Sequence, residues 1–98
     1  MKIAIPLFKE RVAPFFGASS QILLVDIQDG IVRQEYKWQV GGQGPLEIAR
    51  CLLDLGVEKM VCGGINRFQK EWLIGKGISV QDNKRGAVKD IIERLLRD

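Results

Sequence analysis

The chain has 98 residues, 46% of them hydrophobic, which is material for one compact domain with a modest core and not for two. Charged residues make up 28% of it without long runs of one sign, which excludes a disordered tail, and the net charge of +3 modestly favours anionic partners. Histidine is absent and cysteine occurs only at Cys51 and Cys62, which argues against a disulfide framework, a histidine-based triad and a protein-only zinc site.

The opening residues lack the long apolar core and small-residue cleavage site of a secretory signal, and no apolar run is long enough to cross a bilayer. A cytoplasmic protein without membrane contact, its thiols reduced, is therefore expected. The span 1–98 is expected to form a single α/β domain.

Ile3, Ile5 and Leu7 alternate with Lys2, Ala4 and Pro6, predicting a first strand that ends near Pro6, where the ladder donor is lost. A long loop is expected from Phe8 to about Ser20, and loops of that length are often functional. The run Ile22-Leu23-Leu24-Val25-Asp26-Ile27 reads as a second strand covered on both faces. Asp29-Gly30 then suits a tight hairpin turn. In the third strand Val32, Tyr36, Trp38 and Val40 are expected on one face and Arg33, Glu35, Lys37 and Gln39 on the other, an edge whose charges discourage unplanned pairing.

After Gly41-Gly42-Gln43-Gly44-Pro45 the apolar period becomes helical through Leu46, Ile48, Ala49, Leu52, Leu53 and Leu55, closed by Gly56. Lys59-Met60-Val61-Cys62 reads as a short strand ended by Gly63-Gly64. Asn66 can cap a second helix, stopped by Gly75 or Gly77, and Ile78-Ser79-Val80 is a last strand. Val88, Ile91, Ile92 and Leu95 mark a final amphipathic helix. The order β-β-β-α-β-α-β-α with right-handed crossovers predicts a mixed five-stranded sheet, strand order 3-2-1-4-5, with helices on both sides.

In such a sheet, ligands lie beyond the carboxyl ends of parallel strands. That rule brings together the loop from Phe8 to Ser20, the glycine loop Gly41, Gly42 and Gly44, and the turn Gly63-Gly64-Ile65-Asn66. Free N–H groups at helix starts attract anions, glycine allows close approach, Lys9, Arg11 and Arg67 add positive charge, and Phe15 and Phe16 add an apolar wall. Glycines that merely serve turns and caps explain the same residues. Neither glycine loop fits a nucleotide motif. Cys62, at a strand end, can be read either as a thiolate ligand for a soft metal or as a small core residue. Serines without histidine and carboxylates without clustering give no catalytic constellation, so a non-enzymatic protein is expected.

The residues Met1-Lys2-Ile3-Ala4-Ile5-Pro6, Arg11-Val12-Ala13-Pro14-Phe15-Phe16-Gly17, Leu24-Val25-Asp26-Ile27 with Asp29-Gly30, Gly44-Pro45-Leu46-Glu47-Ile48-Ala49, Leu55-Gly56-Val57 and Cys62-Gly63-Gly64-Ile65 follow one another along almost the whole chain. In this succession the sequence resembles the dinitrogenase iron-molybdenum cofactor-binding family. The resemblance implies a ribonuclease H-like fold and a role in holding or carrying an iron-molybdenum or other metal-sulfur cluster. Family members often carry histidine before Phe-Gly in the first loop, where this chain has Phe15. A cluster would then be held by backbone donors of Gly17, Gly41, Gly42, Gly44, Gly63, Gly64 and Asn66, by Lys9, Arg11 or Arg67 beside Phe15, or by Cys62. The expected function is a non-catalytic carrier of an anionic metal-sulfur cluster, with a protein partner in delivery. The alternative is a protein-interaction module that has lost cluster binding. Nucleic acid is disfavoured, since the carboxyl-terminal bases alternate with acids.

Overall fold

The computed structural model describes residues 1–97. Six strands and three helices follow in the order β1 (Lys2–Phe8), β2 (Arg11–Val12), β3 (Gln21–Gln28), β4 (Ile31–Gln39), α1 (Pro45–Asp54), β5 (Lys59–Val61), α2 (Arg67–Gly75), β6 (Ser79–Gln81) and α3 (Val88–Arg97), with a 3-10 turn over Phe16–Ala18. The fold is a mixed α/β architecture around one six-stranded sheet in the order β4-β3-β1-β5-β6, with β2 paired to β1 off that path. β1 runs antiparallel to β3 and parallel to β5, and β5 runs parallel to β6. The five strands expected from periodicity become six because the segment Arg11–Val12 folds back on Leu7 and Phe8. Two residues are too few to show an alternation.

The alternation along β1 divides the core. Ile3, Ile5 and Leu7 join Leu23, Val25, Val61, Val88 and Ile91 on the α3 side. Ala4 joins Ile22, Val40, Ile48, Leu52, Met60, Cys62 and Leu73 on the α1 and α2 side. Helices thus cover both faces, and no helix among the described residues is long and apolar enough to cross a membrane.

Three expectations need correction. β1 continues through Pro6 to Phe8. The Pro6 carbonyl accepts from the Ala13 N–H at 2.9 Å, so the proline's nitrogen points the same way, to the side where β5 has already ended its pairing at Ala4. No ladder bond is forfeited there. Second, the segment 8–20 is not a free loop but holds β2 and the 3-10 turn, with Phe16 fully buried. Third, Val32 does not share a face with Trp38 and Val40. The register slips between Asp26 and Ile27, leaving Arg33 as an extra residue in β4. That bulge turns Val32 to the α3 side while Trp38 packs on the α1 side.

Helix ends follow local chemistry. Pro45 opens α1 and Gly56, at φ +78, follows its end. The Asn66 side chain accepts from the Gln69 N–H at 2.8 Å and caps α2.

Candidate functional site

β1, β5 and β6 are mutually parallel along the path, so their carboxyl ends open on one rim of the sheet. There lies a groove of about 620 Å³ lined by Arg11, Val12, Pro14, Phe15, Gly63, Gly64, Asn83, Lys84, Arg85 and Gly86. A smaller cleft of about 210 Å³ lies elsewhere, between β3, β4 and the end of α1. It carries Lys2 and Asp26 with apolar neighbours and gathers no cluster of one charge.

The floor of the groove is a close crossing of two backbones. The Gly64 N–H donates to the Pro14 carbonyl at 2.6 Å, and the Phe16 N–H donates to the Gly64 carbonyl at 2.8 Å. A Cβ on Gly63 would collide with the Ala13 carbonyl and stand 2.7 Å from that of Pro14. One on Gly64 would stand 2.7 Å from the Phe15 ring. Gly63 is needed for chain approach, because a side chain there would force the two backbones apart, whereas one on Gly64 would first displace the Phe15 ring. Phe15 lies across Gly64 and remains 65% exposed at the groove's lip.

The cationic wall is set by β2 and by the segment 82–87. The Val12 N–H donates to the Gly86 carbonyl at 3.0 Å and the Val88 N–H to the Glu10 carbonyl at 3.1 Å, which holds Arg11 beside the turn before α3. The turn is anchored below by the Asn83 and Lys84 N–H groups, each 2.9 Å from the carbonyls of Gly63 and Cys62 respectively. Asn83, at φ +59, and Gly86, at φ +113, supply the reversals that this path demands. Arg11, Lys84 and Arg85 therefore line one hollow. No acidic side chain lines it with them, and none of the three pairs with a carboxylate among the described residues.

The residues singled out from sequence divide accordingly. Arg11, Phe15, Gly63 and Gly64 meet in the groove. Gly41, Gly42 and Gly44 do not line it; they lead into α1 on the other layer. Gly17 packs toward Pro45 there, and Glu47 in the first turn of α1 places negative charge beside Gly44. Lys9 extends over Phe8, with Nζ 5.8 Å from the ring centre. Arg67 is occupied with Glu71 at 2.9 Å on the exposed side of α2, and Asn66 caps that helix.

Cys62 is fully buried on the α1 and α2 side of the sheet and does not reach the groove. Burial, with a smaller contribution from Asp82 opposed by Lys70, pushes its thiol up to about 12. Without a metal it is a protonated core residue at neutral pH, packed among Met60, Leu52 and Leu73 rather than facing the groove. Among the described residues no three His, Cys, Asp or Glu side chains converge as metal ligands. The charged groups that line the groove are the Arg11 and Arg85 guanidinium and the Lys84 ammonium, donors suited to an anion. The Gly64, Asn83 and Lys84 amides are already used within the protein, so those three add no backbone donor to the side-chain charge.

Lys84 and Arg85 are not among the site residues expected from the sequence. The signal was present: Asp82-Asn83-Lys84-Arg85-Gly86 is a turn-forming stretch after a strand expected to run parallel to its neighbour, and the carboxyl end of such a strand belongs to the same rim.

Comparison with known proteins agrees with this architecture. The chain matches the solved protein PH0822 at 26% identity with a TM-score of 0.90, over 99% of this chain and 91% of that one. It matches a protein from Methanocaldococcus jannaschii provisionally described as a dinitrogenase at 20% identity with a TM-score of 0.80, over 99% and 88% of the two chains. The apo form of the orange protein from Desulfovibrio gigas matches at 20% identity with a TM-score of 0.78, over 98% and 87%. The last two likenesses are evidence of fold alone. No curated protein sequence matches. The family profile described as dinitrogenase iron-molybdenum cofactor spans residues 1–98, and on that match along its whole length the chain belongs to the dinitrogenase iron-molybdenum cofactor family.

Proposed function

We propose that the chain is a non-catalytic carrier that captures an anionic metal-sulfur species in the groove between Arg11, the Gly63-Gly64 floor and the Lys84-Arg85 turn. The observation that carries this reading is the convergence of three cations from two separate segments on one hollow that no acidic side chain lines. Membership of the family supports a cluster-related role.

The donor set favours outer-surface capture. Sulfide or oxide atoms of an anionic cluster accept hydrogen bonds from guanidinium and ammonium groups, and charge-assisted bonds of this kind are roughly twice as strong as neutral ones. Phe15 screens one side from water. The metal itself needs no protein ligand on this account, so a species that keeps its own ligand shell fits better than bare ions. Such binding is reversible, as a carrier requires.

The test uses tetrathiomolybdate as the probe, with and without copper, under anaerobic conditions. Retention of a coloured complex through gel filtration is expected. Replacing Arg11, Lys84 and Arg85 by glutamine should weaken binding by roughly tenfold or more, while Cys62→Ala and Arg67→Gln leave it unchanged. Equal retention by the triple variant, or no retention by the natural chain, overturns the proposal.

A further inference from the structure

β4 is one margin of the sheet, and its outer side has no strand partner among the described residues. The direction of its amides can be read from the end of the ladder. The Val40 N–H donates to the Ser20 carbonyl at 3.1 Å, just beyond the facing pair Gln39 and Gln21. In an antiparallel ladder this makes Gln39 a non-hydrogen-bonded position toward β3. Alternation then turns the amides of Trp38, Tyr36 and Gln34 toward β3 and those of Gln39, Lys37 and Glu35 outward. The outer margin therefore offers unused donors and acceptors at regular spacing, interrupted only by the bulge at Arg33.

We infer that a second copy of this chain adds to this margin, β4 against β4 in antiparallel sense about a twofold axis at Tyr36. In that register Glu35 of each copy faces Lys37 of the other, and these are positions whose amides point outward. Each facing pair thus exchanges backbone hydrogen bonds and matches opposite charges, twice over by symmetry. Gln34 faces Trp38. Tyr36 meets its twin at a non-hydrogen-bonded pair, where side chains approach most closely.

Other registers fail on charge or length. An axis at Glu35 sets that carboxylate against itself and Arg33 against Lys37, and an axis at Lys37 sets two ammonium groups together. An axis at Gln34 must use the bulge at Arg33. One at Trp38 leaves only residues 37–39 to pair, because β4 ends at Gln39. The charges that protect a lone edge from arbitrary pairing thus permit a single symmetric partner.

Surface chemistry agrees. Tyr36 is 65% exposed, and it borders a cleft shared with Trp38, Cys51 and Leu55 that stays open in the single chain. Lys37 lies 3.2 Å from Glu10 of its own chain, an exposed pair of little intrinsic strength. An ammonium has three donors, so it can serve Glu10 and the second copy's Glu35 together.

Sedimentation equilibrium of the full chain tests this. The natural chain is expected to dimerise, and Glu35→Lys and Lys37→Glu, each of which makes the facing pairs repulsive, to weaken it by roughly tenfold or more. Mixing the two variants restores opposite charges at both pairs, so a one-to-one heterodimer forms where neither variant dimerises alone. Amide exchange at Glu35 and Lys37 of the natural chain slows with protein concentration, whereas that at Tyr36 does not respond. A natural chain that stays monomeric into the high micromolar range overturns the inference. So does a variant that dimerises like the natural chain, or a mixture of variants with natural-chain circular dichroism that does not associate. Groove variants at Lys84 and Arg85 leave this equilibrium unchanged, which separates it from the carrier proposal.

Discussion

Gly63 and Gly41 look alike in the sequence and differ completely in their surroundings. The first is buried against the Ala13 and Pro14 carbonyls, whereas a Cβ on the second meets nothing within 4 Å. Gly63→Ala should lower stability by about 1–3 kcal/mol and Gly41→Ala by less than about 0.5 kcal/mol in urea unfolding. Cys62 makes a second residue-level prediction. Its thiol is raised from 9.0 to about 12 in the folded chain. Between those limits the unfolded chain has lost the proton while the folded chain keeps it, so the folded state binds more protons and stability falls as pH rises through that window. Below pH 9 both forms are protonated and this thiol contributes no pH dependence. Urea titrations at pH 8 and pH 10.5 should show the decline, and Cys62→Ala should remove that component of it. A thiol reagent at neutral pH should modify the half-buried Cys51 ahead of Cys62.

At the scale of elements, most helices and strands were legible because apolar period, caps and breakers agree at each. α2 is an example: Asn66 caps its start through the Gln69 N–H, and Gly77 at φ +92 follows its end. Asn66→Ala should cost about 1 kcal/mol and Asn66→Asp should cost almost nothing, both measured by thermal unfolding. What escaped the period were the irregularities. β2 is only Arg11–Val12 and is created by its neighbours, the Phe8 partner on one side and the Ala87 contact on the other. The bulge at Arg33 reverses the facing of Val32 although its side chain looks like that of any strand residue. Pro6 marks a place where a ladder bond is not needed rather than the end of a strand, and that depends on how far β5 extends.

For the whole molecule, the groove is a meeting of segments distant in the chain: Arg11, Gly63-Gly64 and Lys84-Arg85. Because Arg11, Lys84 and Arg85 are exposed, tetrathiomolybdate affinity should fall as salt is raised, through screening that reaches only about 8 Å at physiological ionic strength. Titration in low and high chloride checks this, and a salt-independent affinity would mean that the cations are not the contact. Part of this site was readable beforehand, since Arg11, Phe15 and the paired glycines lie at ends of strands that periodicity marks. The glycine loop before α1 reaches the same rim, but the layer in which its helix packs takes Gly41, Gly42 and Gly44 out of the groove. By itself the sequence determined the α/β class, the helices and main strands, and the buried faces, because these rest on short-range periodicity and burial. Only tertiary structure decided that Cys62 is sealed in the core, that Lys84 and Arg85 rather than Lys9 and Arg67 complete the cationic wall, and where β2 lies. Those outcomes depend on which distant backbone stands opposite each residue, and no local pattern carries that information.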